Sequence, residues 1–386
     1  MSNVNLNKAK TNKNDEFYTR YEDIQLELNH YIKHFEGKTV LCNCDNPFES
    51  NFCKFFLINF NYLKLKRLIC TSYNNASFSD QPSFFDYAEN KEEKSGLILD
   101  IAKIPTEYES DLAAGRVDAL LRSGTHGVRS LKGSGDFRSN ECISYLKEAD
   151  VAVTNVPFSL FREYISLVSK YNKKFLIIGP KHAVIYNELF SLIQANKVWC
   201  GRNDVRSFMQ PDGTVRTFGN VGWFTNIETK KRHESLPLTE HYRGNEDEYP
   251  KFENFDAIFV DKVSRIPCDY KPCWLGCPRA AECAYARKKG FDPSAAGCEN
   301  KCSGIMAVPV TYFEKHDPEQ FEIVETDRKG TSKAIGIQPI GKKWCDTYFS
   351  QGNTGHYTST MRNPVLLIDG VAKSVYRRVY IRKKEQ

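Results

Sequence analysis

Apolar residues recur at helical spacing from Glu22 onward, at Ile24, Leu28, Tyr31, Ile32 and Phe35, until Gly37 ends the pattern. The short run Thr39-Val40-Leu41-Cys42 reads as a buried strand. Ser50 stands where a helix cap belongs, ahead of Phe52, Phe55, Phe56 and Phe60. Residues 67–71 read as a second strand and 97–100 as a short third. Ser139 caps a helix to Lys147, a strand covers 151–154, and Ser159 begins a helix to about Lys170. A buried strand follows at 175–179, then a helix near 183–195 and strands at 197–200 and 222–225. This strand–helix–strand alternation predicts a parallel sheet with helices on both faces. Residues 74–130 are rich in Ser, Asn, Asp and Gly and show no clear period. Beyond about 230 the alternation gives way to Pro, charge and short β-like pieces, with 365–370 and 375–381 pairing as a β-hairpin. The chain contains no internal repeat.

The most informative stretch follows the strand at 151–154. Asn155-Val156-Pro157-Phe158 puts an amide, a carbonyl whose direction Pro157 sets, and an aromatic ring at the C-terminal end of a buried strand. Amino-methylating enzymes grip an exocyclic NH2 with such a pair of oxygens and stack the aromatic on the base. The plain alternative is an ordinary strand-to-helix turn.

That stretch, continued through Ser159-Leu160-Phe161-Arg162-Glu163-Tyr164, resembles the EcoRI-type family of adenine-specific DNA methyltransferases. So do Asp15-Glu16-Phe17-Tyr18-Thr19, Cys42-Asn43-Cys44-Asp45-Asn46-Pro47 with Ser50-Asn51-Phe52, Gly135-Asp136-Phe137-Arg138-Ser139, and Trp223-Phe224-Thr225-Asn226, in the same order. Tyr249-Pro250-Lys251, Val308-Pro309 and Glu319-Gln320-Phe321 extend the likeness. It covers most of the chain apart from roughly 75–130 and 270–303. The family pattern has Pro where this chain has Val156; the role of that position is to offer a main-chain carbonyl, which Val also has.

The resemblance implies a Rossmann-like α/β sheet that binds S-adenosylmethionine (AdoMet), over residues 1–230. A mixed α+β target-recognition region is expected over 231–386. It implies site-specific methylation of adenine N6 on a base flipped out of double-stranded DNA, in a restriction–modification setting. Asn155, Val156, Pro157 and Phe158 are the implied catalytic residues. Phe17, Thr19, Asn43 and Asp45 are the implied cofactor contacts, although the loop at 42–47 has no glycine and on its own reads as a plain Asx turn. Asp136 and Phe137 would hold the adenine end of AdoMet, or Asp136 would cap the following helix. Two rivals stay open: an RNA or protein amide methyltransferase on the same fold, and a DNA-binding homologue with impaired catalysis.

Composition narrows the setting. The 386 residues are 41% hydrophobic and 26% charged, an ordinary water-soluble balance. No apolar run nears the ~20 residues that span a membrane. Residues 1–8 lack the apolar core of a signal peptide, so a cytoplasmic protein is expected. Nothing demands a protein partner, and a monomer suffices. Net charge is +6, concentrated at Lys230-Lys231-Arg232-His233 and at 377–384, which invites phosphate contact or simply a solvated face or tail. His182, His233, His316 and His356 are dispersed and carry no catalytic reading.

Of the thirteen cysteines, Cys42, Cys44, Cys53, Cys70, Cys142 and Cys200 lie in apolar surroundings and read as small hydrophobes. Cys273, Cys277, Cys283, Cys298 and Cys302 cluster in an insertion at about 268–304. Cys273 with Cys277 and Cys298 with Cys302 have the paired spacing of a structural zinc site, with Cys283 as a possible substitute ligand. An iron–sulfur cluster and unliganded thiols are the alternatives.

Overall fold

The computed structural model describes residues 18–73, 95–209, 214–272, 303–327 and 331–384. The chain divides into two compact units, Met1–Ala183 with Val198–Thr229 and Val184–Lys197 with Lys230–Gln386.

The first unit is built on a nine-stranded sheet. Its strands are β1 (Tyr18–Thr19), β2 (Thr39–Cys42), β3 (Arg67–Ser72), β4 (Leu97–Ile101), β5 (Arg129–Ser130), β6 (Val151–Asn155), β7 (Lys174–Pro180), β8 (Trp199–Met209) and β9 (Val215–Thr225). They lie in the order β1-β8-β9-β7-β6-β2-β3-β4-β5. Only the centre, β3-β2-β6-β7, is parallel. Helix α1 (Tyr21–Leu28) precedes β2, α2 (Asn51–Ile58) crosses from β2 to β3, α3 (Asn140–Glu148) leads into β6, and α4 (Phe161–Lys170) crosses from β6 to β7. These crossovers impose the parallel pairing. The sheet is therefore mixed: the parallel pairing that the alternation predicts holds at its centre, and the outer strands run antiparallel. β8 and β9 form one long hairpin, with Met209 opposite Val215, and β9 pairs antiparallel with β7. β4 returns antiparallel along β3.

The second unit holds a four-stranded sheet of β10 (Ile258–Phe259), β11 (Ile305–Pro309), β12 (Phe321–Thr326) and β15 (Arg378–Lys383), ordered β10-β11-β15-β12. A separate hairpin joins β13 (Val365–Ile368) to β14 (Val371–Ser374). Among the described residues, helices α5 (Asn187–Gln194) and α6 (Lys342–Ser350) belong to this unit. Phe252, Phe255, Ile305, Ala307, Leu366 and Tyr380 form its core.

Two expectations are corrected here. The hairpin partner of 365–368 is 371–374, not 375–381: Asp369 (φ 51°) and Gly370 (φ 75°) make a two-residue turn of the primed kind. The basic C-terminus, although Arg377 and Lys384 are exposed, is mostly neither tail nor solvated face. It is β15, a central strand whose Val379, Tyr380 and Ile381 are fully buried. Arg378 sets its guanidinium 4.4 Å over the Phe259 ring, and Arg382 pairs with Glu322 at 3.2 Å. Both charges are thus engaged within the unit.

Candidate active site

The chain runs from β2 outward through β3 to β4, and from β6 outward the other way to β7. The carboxyl ends of β2 and β6 therefore flank a topological switch point, where open α/β sheets bind their ligands. Asn43 and Asp45 follow β2, and Asn155 to Phe158 end β6.

Asn155 is the last residue of β6, opposite Ile178 of β7. Val156 is buried, and Pro157 (φ −50°, ψ 125°) turns the chain into the short turn Phe158–Leu160 that opens α4. Phe158 is half-buried, edge-on to Phe208 with ring centroids 6.5 Å apart.

The loop after β2 is bonded to this turn. The buried Asp45 carboxylate accepts hydrogen bonds from Ser50 Oγ at 2.8 Å, from Thr154 Oγ1 and from the backbone N–H of Asn155. Thr154 Oγ1 in turn accepts from the backbone N–H of Cys44 at 3.2 Å. Burial pushes the Asp45 pKa up to about 6, against the lowering effect of the hydrogen bonds from Thr154, Ser50 and Asn155. Ser50 also caps α2, accepting from the N–H groups of Phe52 and Cys53. An Asx turn is present as well, one residue on: Phe48 N–H donates to Asn46 Oδ1 at 3.1 Å.

Asn43 is 1% exposed; its Oδ1 accepts from the Tyr164 hydroxyl of α4, and its Nδ2 has no hydrogen-bond partner among the described residues. Thr19 is 3% exposed, and its Oγ1 likewise has none among the described residues. Asn51 Nδ2 donates to the Thr19 carbonyl at 2.8 Å, and the Tyr18 hydroxyl to Glu49, which ties β1 to the loop before α2. Phe17 lies outside the described residues.

Gly135 (φ +81°) passes so close to β3 that a Cβ there would meet the Ser72 carbonyl oxygen at 2.0 Å, so only glycine fits. Asp136 is held bidentately by Arg138, which keeps its carboxyl below the usual range. Arg138 also reaches Glu163 of α4 at 2.7 Å. Phe137 is buried edge-on to Tyr164, centroids 5.3 Å apart. Ser139, not Asp136, caps α3, accepting from Cys142 N–H at 3.1 Å.

The structure thus gathers Thr19, Asn43, Asp45, Asp136, Phe137 and the 155–158 turn into the first unit. Sequence reasoning passes over the supports: Thr154, Tyr164 and Arg138. Ser50 is legible as a cap, but not as a partner of Asp45. A hydroxyl ending an otherwise apolar strand, as at Thr154, is the signal that finds such a support. Cys42, Cys53, Cys70 and Cys142 are buried thiols, and Cys44 and Cys200 are half-buried. Cys273, Cys277, Cys283, Cys298 and Cys302 lie outside the described residues.

Two buried polar atoms left over in the loop after β2 and in β1 are what a bound polar cofactor leaves when its own groups supply the partners. The residues present fit AdoMet in that sense.

The family model described as adenine-specific methyltransferase EcoRI matches residues 5–286. Type II methyltransferase M.EcoRI of Escherichia coli is 38% identical over 355 residues, 86% of this chain and 91% of its own length. Type II methyltransferases M.MgeORF184P of Mycoplasma genitalium and M.MpnI of Mycoplasma pneumoniae are each 32% identical over 339 residues, 83% of this chain and 85% of theirs. No solved structure matches. AdoMet is the usual cofactor of methyltransferases of this kind. The chain belongs to the EcoRI family of adenine-specific methyltransferases.

Proposed function

We propose that this protein methylates N6 of adenine in a specific duplex DNA site, with AdoMet as donor, in a type II restriction–modification setting. The first unit is the Rossmann-like cofactor-binding and catalytic part, and the second reads the target. The observation that carries the proposal is the bonding of the loop after β2 to the turn after β6, through Asp45, at the switch point of the sheet. Cofactor and acceptor elements are held there as one piece.

Thr19 Oγ1, Asn43 Nδ2 and the face of Phe137 would hold AdoMet. When bound, it supplies a methyl group made electrophilic by its sulfonium. Asp136 is engaged by Arg138 through both oxygens, so its part is to order the Gly135–Arg138 turn. Asp45 is a positioning residue: its carboxylate sets the backbone of Asn155.

Asn155 Oδ1 and the Val156 carbonyl accept the two N6 hydrogens of adenine. That localises the nitrogen lone pair, which conjugation otherwise draws into the ring. With AdoMet bound, that lone pair would take the methyl carbon as the carbon–sulfur bond gives way, and Asn155 Oδ1 and the Val156 carbonyl would hold the N6 hydrogens until one leaves to solvent as a proton. Positioning and polarisation do the work, since an amide is no general base. The target atom is out of reach in stacked DNA, so the base is extruded, and Phe158 stacks on it. The Cys273, Cys277, Cys298 and Cys302 set, with Cys283 as substitute, is retained as a proposed structural zinc site; elemental analysis of the purified protein tests it.

Transfer from tritiated AdoMet to duplex DNA, RNA and protein substrates, side by side, tests the reading. Label in duplex DNA alone is expected. Label in RNA or protein selects the rival methyltransferase, and DNA binding without transfer selects the impaired homologue.

A further inference from the structure

The second unit brings together a histidine, a thiol and a carboxylate that methyl transfer does not use. Cys268 Sγ lies 3.4 Å from His241 Nδ1. That nitrogen lies 3.8 Å from an Asp269 carboxylate oxygen. One ligand atom from each residue falls within 4.8 Å of the other two. Zinc bound to sulfur at about 2.3 Å and to nitrogen or oxygen at about 2.0–2.1 Å holds tetrahedral donors about 3.3–3.6 Å apart. The thiol and imidazole already stand at that separation, and the carboxylate has roughly half an ångström to close towards the imidazole nitrogen.

The backbone fixes this arrangement in advance. Cys268 N–H donates to the Glu240 carbonyl at 2.8 Å, and Lys383 Nζ donates to the Cys268 carbonyl at 2.7 Å. The Asp269 oxygens accept from the N–H groups of Tyr242 at 2.6 Å and Arg243 at 3.2 Å, and the carboxylate also accepts from the Asp269 N–H. Tyr242 packs against Tyr270 with centroids 4.7 Å apart, closing the segment 240–243 onto 267–270. His241 is exposed and Cys268 half-buried, so an ion reaches both from solvent. A sulfur and an imidazole side by side select a borderline-soft ion over magnesium or calcium.

We infer that His241, Cys268 and Asp269 form a zinc site, with a fourth position for water or one further donor. The ion pins the 240–243 segment to 267–270. This inference does not depend on the methyl-transfer reading, and it concerns ligands other than the paired cysteines of the insertion.

The test is zinc content of the purified full-length protein, with cobalt as the spectroscopic probe. The His241→Ala/Cys268→Ser double variant is expected to hold one zinc equivalent fewer per chain than wild type. Cys268→His is expected to keep that equivalent while the cobalt protein loses thiolate charge-transfer intensity, which separates ligation from misfolding. Equal zinc in wild type and the double variant, no zinc in wild type, or an unchanged cobalt spectrum in Cys268→His overturns the inference.

Discussion

At the residue scale the account rests on a few oxygens and one ring. Phe158 presents a half-buried ring at the β6 turn, and base–aromatic stacking is worth roughly 1–3 kcal/mol. Phe158→Ala is expected to raise the KM for duplex DNA about 10- to 100-fold, with AdoMet affinity unchanged, while Phe158→Trp stays near wild type. Steady-state kinetics with varied DNA reads this directly, and equal KM values for all three proteins refute the stacking role. Asp45 gives a pH signature. Its pKa lies at about 6, and only the ionised form accepts from Ser50, Thr154 and the Asn155 N–H together. Turnover is expected to fall as pH drops through about 6. Asp45→Asn is expected to be slower at every pH and to lack that inflection. The same inflection in Asp45→Asn sinks the positioning role.

At the element scale, local chemistry decides what is legible. Ser50 and Ser139 are read correctly as caps because a hydroxyl before an apolar helical run has one common use. The central strands are legible because each is a short run without a polar break. The hairpin is mispaired when 375–381 is preferred for its aromatic, β-branched character over the turn chemistry of Asp369-Gly370. Turn chemistry wins, and β15 is then left to pair with β11 and β12. The antiparallel placing of β4 and β9 comes from long-range pairing that no local period records. In the site, the 155–158 turn is legible as a motif. Its bond to Asp45 spans about a hundred residues of chain and is visible only once β2 and β6 are neighbours. Gly370 (φ +75°) tests the turn: Gly370→Ala is expected to lower stability by about 1 kcal/mol in denaturant melts, since an L side chain resists that backbone. A neutral result says the hairpin turn differs.

At the scale of the whole molecule, the two units carry buried titratable groups of opposite sign. In the second unit, burial lowers the His316 pKa from 6.5 to about 4, and its Nδ1 lies 2.9 Å from the Tyr312 hydroxyl. The unfolded chain then takes up its proton first. That stability is present above about pH 6.5 and is lost as pH falls from there towards 4. Asp45 acts the other way in the first unit: its raised pKa makes the folded state protonate first, so stability is gained as pH falls below about 6. Denaturant melts at pH 7 and 5 are expected to show acid loss reduced by about 1–3 kcal/mol in His316→Gln relative to wild type. An identical acid loss in both proteins contradicts the assignment. Among the described residues no helix is long and apolar enough to cross a membrane.

The most direct test of the central claim pairs nucleoside analysis with cofactor binding for Asn155→Ala. Wild-type protein, AdoMet and duplex DNA are expected to yield N6-methyl-2′-deoxyadenosine as the modified nucleoside. Asn155→Ala is expected to lose at least about 100-fold in turnover while its AdoMet affinity stays within a factor of a few of wild type. Methylation of another base, or an Asn155→Ala protein that turns over like wild type, contradicts the account.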